Sequence, residues 1–413
     1  MTDQDYFDAL ETRETAAREA DLFSNLSSHL SHAKSRSDAY ANILADVDPA
    51  SVTDRVTLAQ LPLTRKSELL GLQRENPPFG GFVVKGENQI DKIFSSPGPI
   101  YEPQTNRPNY WRMARALYAH GIRSGDLVHN TYSYHLTPAG SILESAAFSM
   151  GCTVIPAGVG QTELQVQTIA DLKPNVYVGT PSFFKIIIEK ADEMGVDTSC
   201  ITKASVSGEA LPEKLRAEFE QRGISVLQTF ATADLGLIAY ETSAKEGLVI
   251  DESIILEIVR PGSGEPVAEG EVGEIVVTTF NPDYPLIRFA TGDLSAIMHG
   301  PSPCGRTNQR IKGWMGRADQ TTKVRGMFVR PEQVNAVAAK FDTVKKFRLT
   351  VSNPDMQDAL KFQCHVDSPD ADLQEAIQKA FREVCKVRAE VSWTELSELP
   401  NDGKVIDDVR TYD

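Results

Sequence analysis

Between about residue 90 and residue 230, short apolar runs alternate with segments of helical length and spacing. Lys92-Ile93-Phe94, Leu127 to Asn130, Thr153 to Pro156, Asn175 to Gly179, Lys203 to Ser207 and Ile224 to Thr229 read as strands. Asn109 to His120, Ser141 to Met150, Ser182 to Ala191 and Glu213 to Gln221 read as the helices between them, with Gly121 and Gly151 as stops. An alternation of this kind predicts a parallel sheet with crossover helices. Open α/β sheets bind ligands at the carboxyl ends of their strands. The loops after Phe94, Asn130, Gly179, Ser207 and Thr229 are therefore where function is expected.

The flanks have a different style. Residues 5 to about 45 read as helices, with Phe7, Leu10, Leu22, Leu26 and Leu30 at helical spacing. From about 248 to 300, Ile254 to Val259 and Glu274 to Thr279 read as strands around the turn-rich Gly262-Ser263-Gly264-Glu265-Pro266, an antiparallel β subdomain. After Arg317, Pro331 to Lys340 and Ala371 to Cys385 read as helices, and Phe347 to Val351 and Lys361 to His365 as strands. The expected fold class is α/β. A large N-terminal domain (1–317) has layered parallel-type sheets with helices and the β subdomain, and a small α+β domain (318–413) follows. A chain of 413 residues suits such a division.

A net charge of −15 disfavours nucleic acid or an anionic membrane surface as partner. The five cysteines are scattered, with no C-x-x-C pair, so neither zinc nor a disulfide framework is expected. The N-terminus is polar and acidic, without the pattern of a secretory signal. No apolar run approaches the roughly eighteen residues of a membrane span. These features lead to an expectation of a cytoplasmic protein.

Three segments near the C-terminal end narrow the reading. They are Phe289-Ala290-Thr291-Gly292-Asp293, Gly316-Arg317-Ala318-Asp319 running on to Lys323-Val324-Arg325-Gly326, and Pro400-Asn401-Asp402-Gly403-Lys404. A lone Thr-Gly-Asp is usually only a turn, but in this order the segments are specific. Upstream stand Ser205-Val206-Ser207-Gly208-Glu209 and Thr229-Phe230-Ala231-Thr232-Ala233-Asp234. Together they resemble the phenylacetate–CoA ligase branch of the adenylate-forming superfamily, from about residue 50 to the end. Such enzymes activate a carboxylate with ATP and pass the acyl group to a thiol.

The resemblance implies a role for each segment. Ser207, Gly208 and Glu209 would lie against adenine. Phe230 would stack on the base and Asp234 would offer an oxygen to Mg²⁺. Ala231 stands in place of the family's glycine and Ala233 in place of the hydroxyl residue that touches phosphate, with Thr232 one position early for that role. Asp293 would accept hydrogen bonds from both ribose hydroxyls, which suits a carboxylate. Arg317 would reach ribose or phosphate, and Asp319 would be the hinge of a mobile C-terminal domain. Lys323 and Arg325 would meet CoA phosphates, or else are solvated basic residues. Lys404 would bridge the carboxylate and the α-phosphate while charge builds on phosphorus.

The chain departs from that pattern in its phosphate loop, Phe94-Ser95-Ser96-Pro97-Gly98-Pro99-Ile100-Tyr101-Glu102-Pro103. Ser95, Ser96 and Gly98 remain as phosphate contacts, but the family's threonines and lysine are gone, and the prolines remove backbone donors. Triphosphate binding is expected to be organised differently. Tyr132, Tyr134, His135 and Gly179 are candidates to line an acid pocket, with core packing the alternative for either tyrosine. The expected activity is ATP-dependent conversion of an aryl or arylacetic acid to acyl-AMP and then to its CoA thioester. ATP, Mg²⁺ and CoA are the expected cofactors, and a homodimer is compatible. The alternatives are loading of a carrier-protein thiol, or a catalytically weakened relative that binds nucleotide or acyl-CoA.

Overall fold

In a computed structural model the described residues are 5–85, 89–96, 99–261, 263–318, 320, 322–325, 327–354, 357–399 and 405–410. The chain divides into two compact units, one drawn from 1–291 and 295–314, the other from 292–294 and 315–413. The expected boundary at Arg317 thus moves a few residues earlier, and 292–294 go with the second unit. The reason is backbone pairing: Leu294 N donates to Gly316 O at 2.9 Å, Met315 N to Leu294 O at 2.9 Å, and Ala318 N to Gly292 O at 2.7 Å.

The first unit opens with helices α1 (Thr15–Arg36), α2 (Asp38–Ile43) and α3 (Arg55–Leu58). Asp54 and Thr57 form a capping box on α3. Leu22, Leu26 and Leu30 of α1 are buried, as their spacing implies, whereas Phe7 and Leu10 are partly exposed and lie outside this core. A two-residue strand β1 (Thr64–Arg65) leads directly into α4 (Lys66–Glu75).

Next comes an antiparallel hairpin of β2 (Ile90–Ser96) and β3 (Ile100–Thr105). This corrects the reading of Lys92-Ile93-Phe94 as a first strand of the parallel sheet. The partner strand holds Glu102 and Pro103, a composition with little strand propensity. The helix expected from Asn109 is shorter, α5 (Ala114–Ala119). Asn109 and Arg112 take positive φ (51° and 63°), and the looped segment presents Trp111 O to Leu237 N at 3.0 Å.

The alternating region then follows the sequence reading closely. Its elements are β4 (Leu127–Asn130), α6 (Ala139–Ser149), β5 (Thr153–Pro156), α7 (Thr162–Leu172), β6 (Val176–Gly179), α8 (Pro181–Met194), β7 (Lys203–Val206), α9 (Glu213–Gln221) and β8 (Ser225–Thr232). Thr180 caps α8 through Phe183 N, Pro181 opens it and Gly195 (φ 66°) closes it. Strands β8, β7, β6, β4 and β5 pair in parallel.

The sheet continues through antiparallel β9 (Gly236–Tyr240) and β10 (Leu248–Ile250) to nine strands. Strands β11 (Ile254–Val259), β12 (Gly273–Thr279) and β13 (Phe289–Ser295) form a second sheet with β1. The expected β subdomain is therefore shared between two sheets, and β1 joins it in parallel with β13. The nine-stranded sheet ends in β14 (Ile297–Met298) and β15 (Arg310–Ile311).

The second unit contains a hairpin, β16 (Thr322–Val324) with β17 (Met327–Val329), helix α10 (Pro331–Ala338), and a sheet of β18 (Val344–Ser352), β19 (Ala359–Val366), β20 (Glu390–Trp393) and β21 (Ile406–Asp408). Helix α11 (Ala371–Cys385) packs Ile377, Ala380 and Phe381 into that unit's own core.

Candidate active site

The parallel strands end together, and the loops they release are bound to one another. Ser207, just past β7, donates its N–H to Gly179 O (3.2 Å) and its hydroxyl to Thr229 O (2.8 Å). Tyr132, past β4, donates its hydroxyl to Gly179 O at 2.8 Å. Gly179 is required by packing: a Cβ there would lie 2.0 Å from Thr131 Oγ1 and 2.2 Å from the Tyr177 hydroxyl, which bond each other at 2.8 Å. Ser207, Gly179 and Tyr132 are thus brought together on one edge.

Several expected contacts already hold other partners. Glu209 accepts Ser182 N at 2.6 Å, satisfying a free donor in the first turn of α8. Tyr132 is buried, and burial raises its phenol well above the usual range, so it serves as a neutral donor. Tyr134 and His135 are exposed, and Asn130 Nδ2 donates to the Tyr134 hydroxyl at 2.8 Å. Phe230 is half-buried at the end of β8. Thr232 accepts Leu235 N at 3.2 Å, shaping the turn from β8 into β9.

Asp234 stands in that turn, 4% exposed. Its Oδ2 lies 2.5 Å from Lys66 Nζ, and its Oδ1 is buried with no hydrogen-bond partner among the described residues. One carboxylate oxygen beside a lysine ammonium is a poor cradle for a dication, since like charges repel and hard cations take several oxygen ligands. Among the described residues no group of three or more His, Cys, Asp or Glu is placed to hold a metal. The donor set at Asp234 therefore does not fit a protein-held Mg²⁺.

The hairpin of β2 and β3, expected from the sequence to meet the phosphates, lies in the same unit. Ser95 N donates to Leu136 O at 2.8 Å. Ser96 donates its hydroxyl to Glu102 Oε1 at 2.6 Å. Glu102 is fully buried, and burial, then Asp234, push its carboxyl up to about 8. Gln73, near the end of α4, brackets Tyr101 with two 2.8 Å bonds, one to Tyr101 O and one from Tyr101 N. Sequence reasoning missed Lys66, Gln73 and Glu102. One signal was available: a lysine in the first turn of a helix opposes the helix dipole and asks for a compensating partner.

The second unit holds the remaining candidates. Arg317 Nη1 donates to Asp293 Oδ1 at 3.0 Å, and the two residues form an antiparallel bridge. Gly292 (φ 77°) lets that guanidinium lie close, since a Cβ would meet Nη2 at 2.6 Å. Lys323 is exposed, its ammonium 5.7 Å from the centre of the Phe328 ring. Arg325 is drawn to Asp358, its N–H on Oδ2 at 3.0 Å and its Nη2 on the carbonyl at 2.8 Å. Gln320 Oε1 accepts Val405 N (2.8 Å) and Ile406 N (3.2 Å). Gly98, Asp319 and Lys404 lie outside the described residues.

Known proteins resemble this chain in sequence and in fold. Residues 109–281 match the AMP-binding enzyme family. The chain is 31% identical to a phenylacetate-coenzyme A ligase of Thermus thermophilus over 343 residues, 79% of this chain and 76% of that protein. It is 33% identical to the Escherichia coli phenylacetate-coenzyme A ligase over 72% of this chain and 70% of that one. A solved 2-hydroxyisobutyryl-CoA ligase, in complex with 2-HIB-AMP and CoA in the thioesterification state, shares the fold with a TM-score of 0.80. That match covers 100% of this chain and 96% of the other at 21% identity. The chain belongs to the phenylacetate-coenzyme A ligase family of AMP-binding enzymes.

Proposed function

We propose that this protein is an AMP-forming acid–CoA ligase whose substrate is an aryl or arylacetic acid. The observation that carries the reading is its identity to phenylacetate-coenzyme A ligases over most of both chains. In the first half-reaction a carboxylate oxygen of the acid attacks the α-phosphorus of ATP. An acyl–phosphate bond forms and pyrophosphate leaves. In the second, the CoA thiolate attacks the acyl carbonyl, a thioester forms and AMP leaves with the electron pair.

The roles of Phe230, Asp293, Arg317 and Tyr132 are consistent with their surroundings, and those of Lys404 and Asp319 rest on the family resemblance. Phe230 offers a ring to adenine. Asp293, oriented by Arg317, offers the ribose acceptor. Lys404 bridges carboxylate and α-phosphate in the first step, and Asp319 is the pivot between the two steps. Tyr132, locked to Gly179 O, gives the acid pocket a rigid wall, and the exposed Tyr134 and His135 stand at its mouth. Holding both reactants on one protein makes each step effectively intramolecular.

The test is incubation with ATP, magnesium, CoA and a panel of aryl, arylacetic and short aliphatic acids, reading pyrophosphate and thioester. Acid-dependent pyrophosphate and a thioester are expected from an aryl or arylacetic member. Pyrophosphate from none of the acids would end the reading. Lys404→Ala should abolish pyrophosphate release while sparing thioester formation from supplied acyl-AMP.

A further inference from the structure

The hairpin of β2 and β3 stands where the resemblance implies a phosphate loop rich in serine, threonine and glycine. Here it is braced by side chains. Beside its turn the Ser96 hydroxyl donates to Glu102 Oε1 at 2.6 Å and approaches Ile100 O at 3.3 Å. On β3 both backbone groups of Tyr101 are held by Gln73. The helix that carries Gln73 begins with Lys66, whose ammonium is on Asp234. One helix of ten residues therefore ties the hairpin, at one end, to the β8–β9 turn at the other.

Glu102 is the unusual member. It has no accessible surface, and its Oε2 has no hydrogen-bond partner among the described residues. An ionised carboxylate in that position would be costly to bury. Burial and the neighbouring Asp234 both favour the neutral acid. A neutral Glu102 still accepts the Ser96 hydroxyl.

We infer that Glu102 is a positioning residue for the nucleotide phosphates: it fixes Ser96 and, with the α4 brace, makes the hairpin a preformed platform. This rests on the ligase reading above, but its consequences are read from ATP binding without turnover. Strands braced in this way offset the loss of a backbone donor at Pro99, because less of their ordering remains to be done when the triphosphate arrives.

The experiment is equilibrium binding of magnesium ATP, measured calorimetrically, to the full-length protein and to Ser96→Ala, Glu102→Ala, Glu102→Gln and the double variant Ser96→Ala/Glu102→Ala. Steady-state kinetics on both substrates accompany it. Each alanine variant is expected to weaken ATP about tenfold, the scale of one hydrogen bond. The double variant should be no weaker than either single, because one interaction is removed twice. Glu102→Gln keeps an acceptor and no charge, and should stay within about threefold of the parent. KM for the acid should stay unchanged.

ATP affinity unchanged in both alanine variants would overturn the inference. So would losses that add in the double variant, or a KM for the acid that rises as far as that for ATP. If Glu102→Ala does not fold, Ser96→Ala against Glu102→Gln decides: weakening only in the first supports the inference, and any other pattern overturns it. A parent protein that binds ATP but forms acyl-AMP from no acid would end the ligase reading alone.

Discussion

Arg288 sits inside the segment Tyr284 to Asp293, whose Thr-Gly-Asp end reads as a ribose site, yet it is 2% exposed and serves the core. Its guanidinium pairs with Glu257 (3.1 Å through both Nε and Nη2), and also donates to Ala59 O (2.7 Å), Leu61 O (2.6 Å) and Gly264 O (2.9 Å). Removing it leaves a buried carboxylate and three carbonyls unpaired. Arg288→Ala should cost about 3–5 kcal/mol, read from the urea midpoint. His120 gives a second prediction at this scale. It is enclosed, donates to Glu241 O and accepts from Ser205, and burial lowers it to about 3. The unfolded chain binds a proton at about pH 6.5 that the folded chain refuses, so His120 destabilises the fold as pH falls from 6.5 toward 3. The urea midpoint should drop between pH 7 and pH 5, and His120→Gln should flatten that drop.

At the scale of elements, close backbone approach decides what the pattern cannot. Gly236 starts β9 with φ 70°, and a Cβ there would lie 2.5 Å from Trp111 O. Gly236→Ala should destabilise by roughly 1–3 kcal/mol, measured by thermal unfolding, through a clash and a left-handed alanine together. The alternating region from β4 to β8 was legible because its strands are apolar runs closed by turn residues. The bounds of β4, β5 and α9 match the reading residue for residue. The β2–β3 hairpin was not legible. Its second strand carries Glu102 and Pro103, and its pairing is stabilised by Gln73 and by a buried carboxylate, which strand propensity does not register. The helix expected from Asn109 begins instead at Ala114, since Trp111 O serves as the acceptor for Leu237 N.

At the scale of the whole molecule, the second unit has a hydrophobic core of its own. Phe381 is fully buried there and lies 5.2 Å, centre to centre, from Phe362. Phe381→Ala should cost that unit about 3–5 kcal/mol. Amide exchange should accelerate in Ala359–Val366 while Leu127–Asn130 keeps its protection, because local stability follows local packing. Equal acceleration in both strands would show that the units unfold as one.

Fold class and family, written in local runs of sequence, were open to reading without coordinates. The alternation of strand and helix, the Thr-Gly-Asp, Gly-Arg-x-Asp and Gly-Lys segments, and the family they point to all belong here, since each depends on neighbours along the chain. Which charged groups face one another was decided only by the tertiary structure. Lys66 meets Asp234 across 168 positions, and Arg18 meets Glu252 across 234. Neither partner is marked by spacing. A buried ion pair is a property of the space two segments share, and that space exists only after the sheets have closed around it.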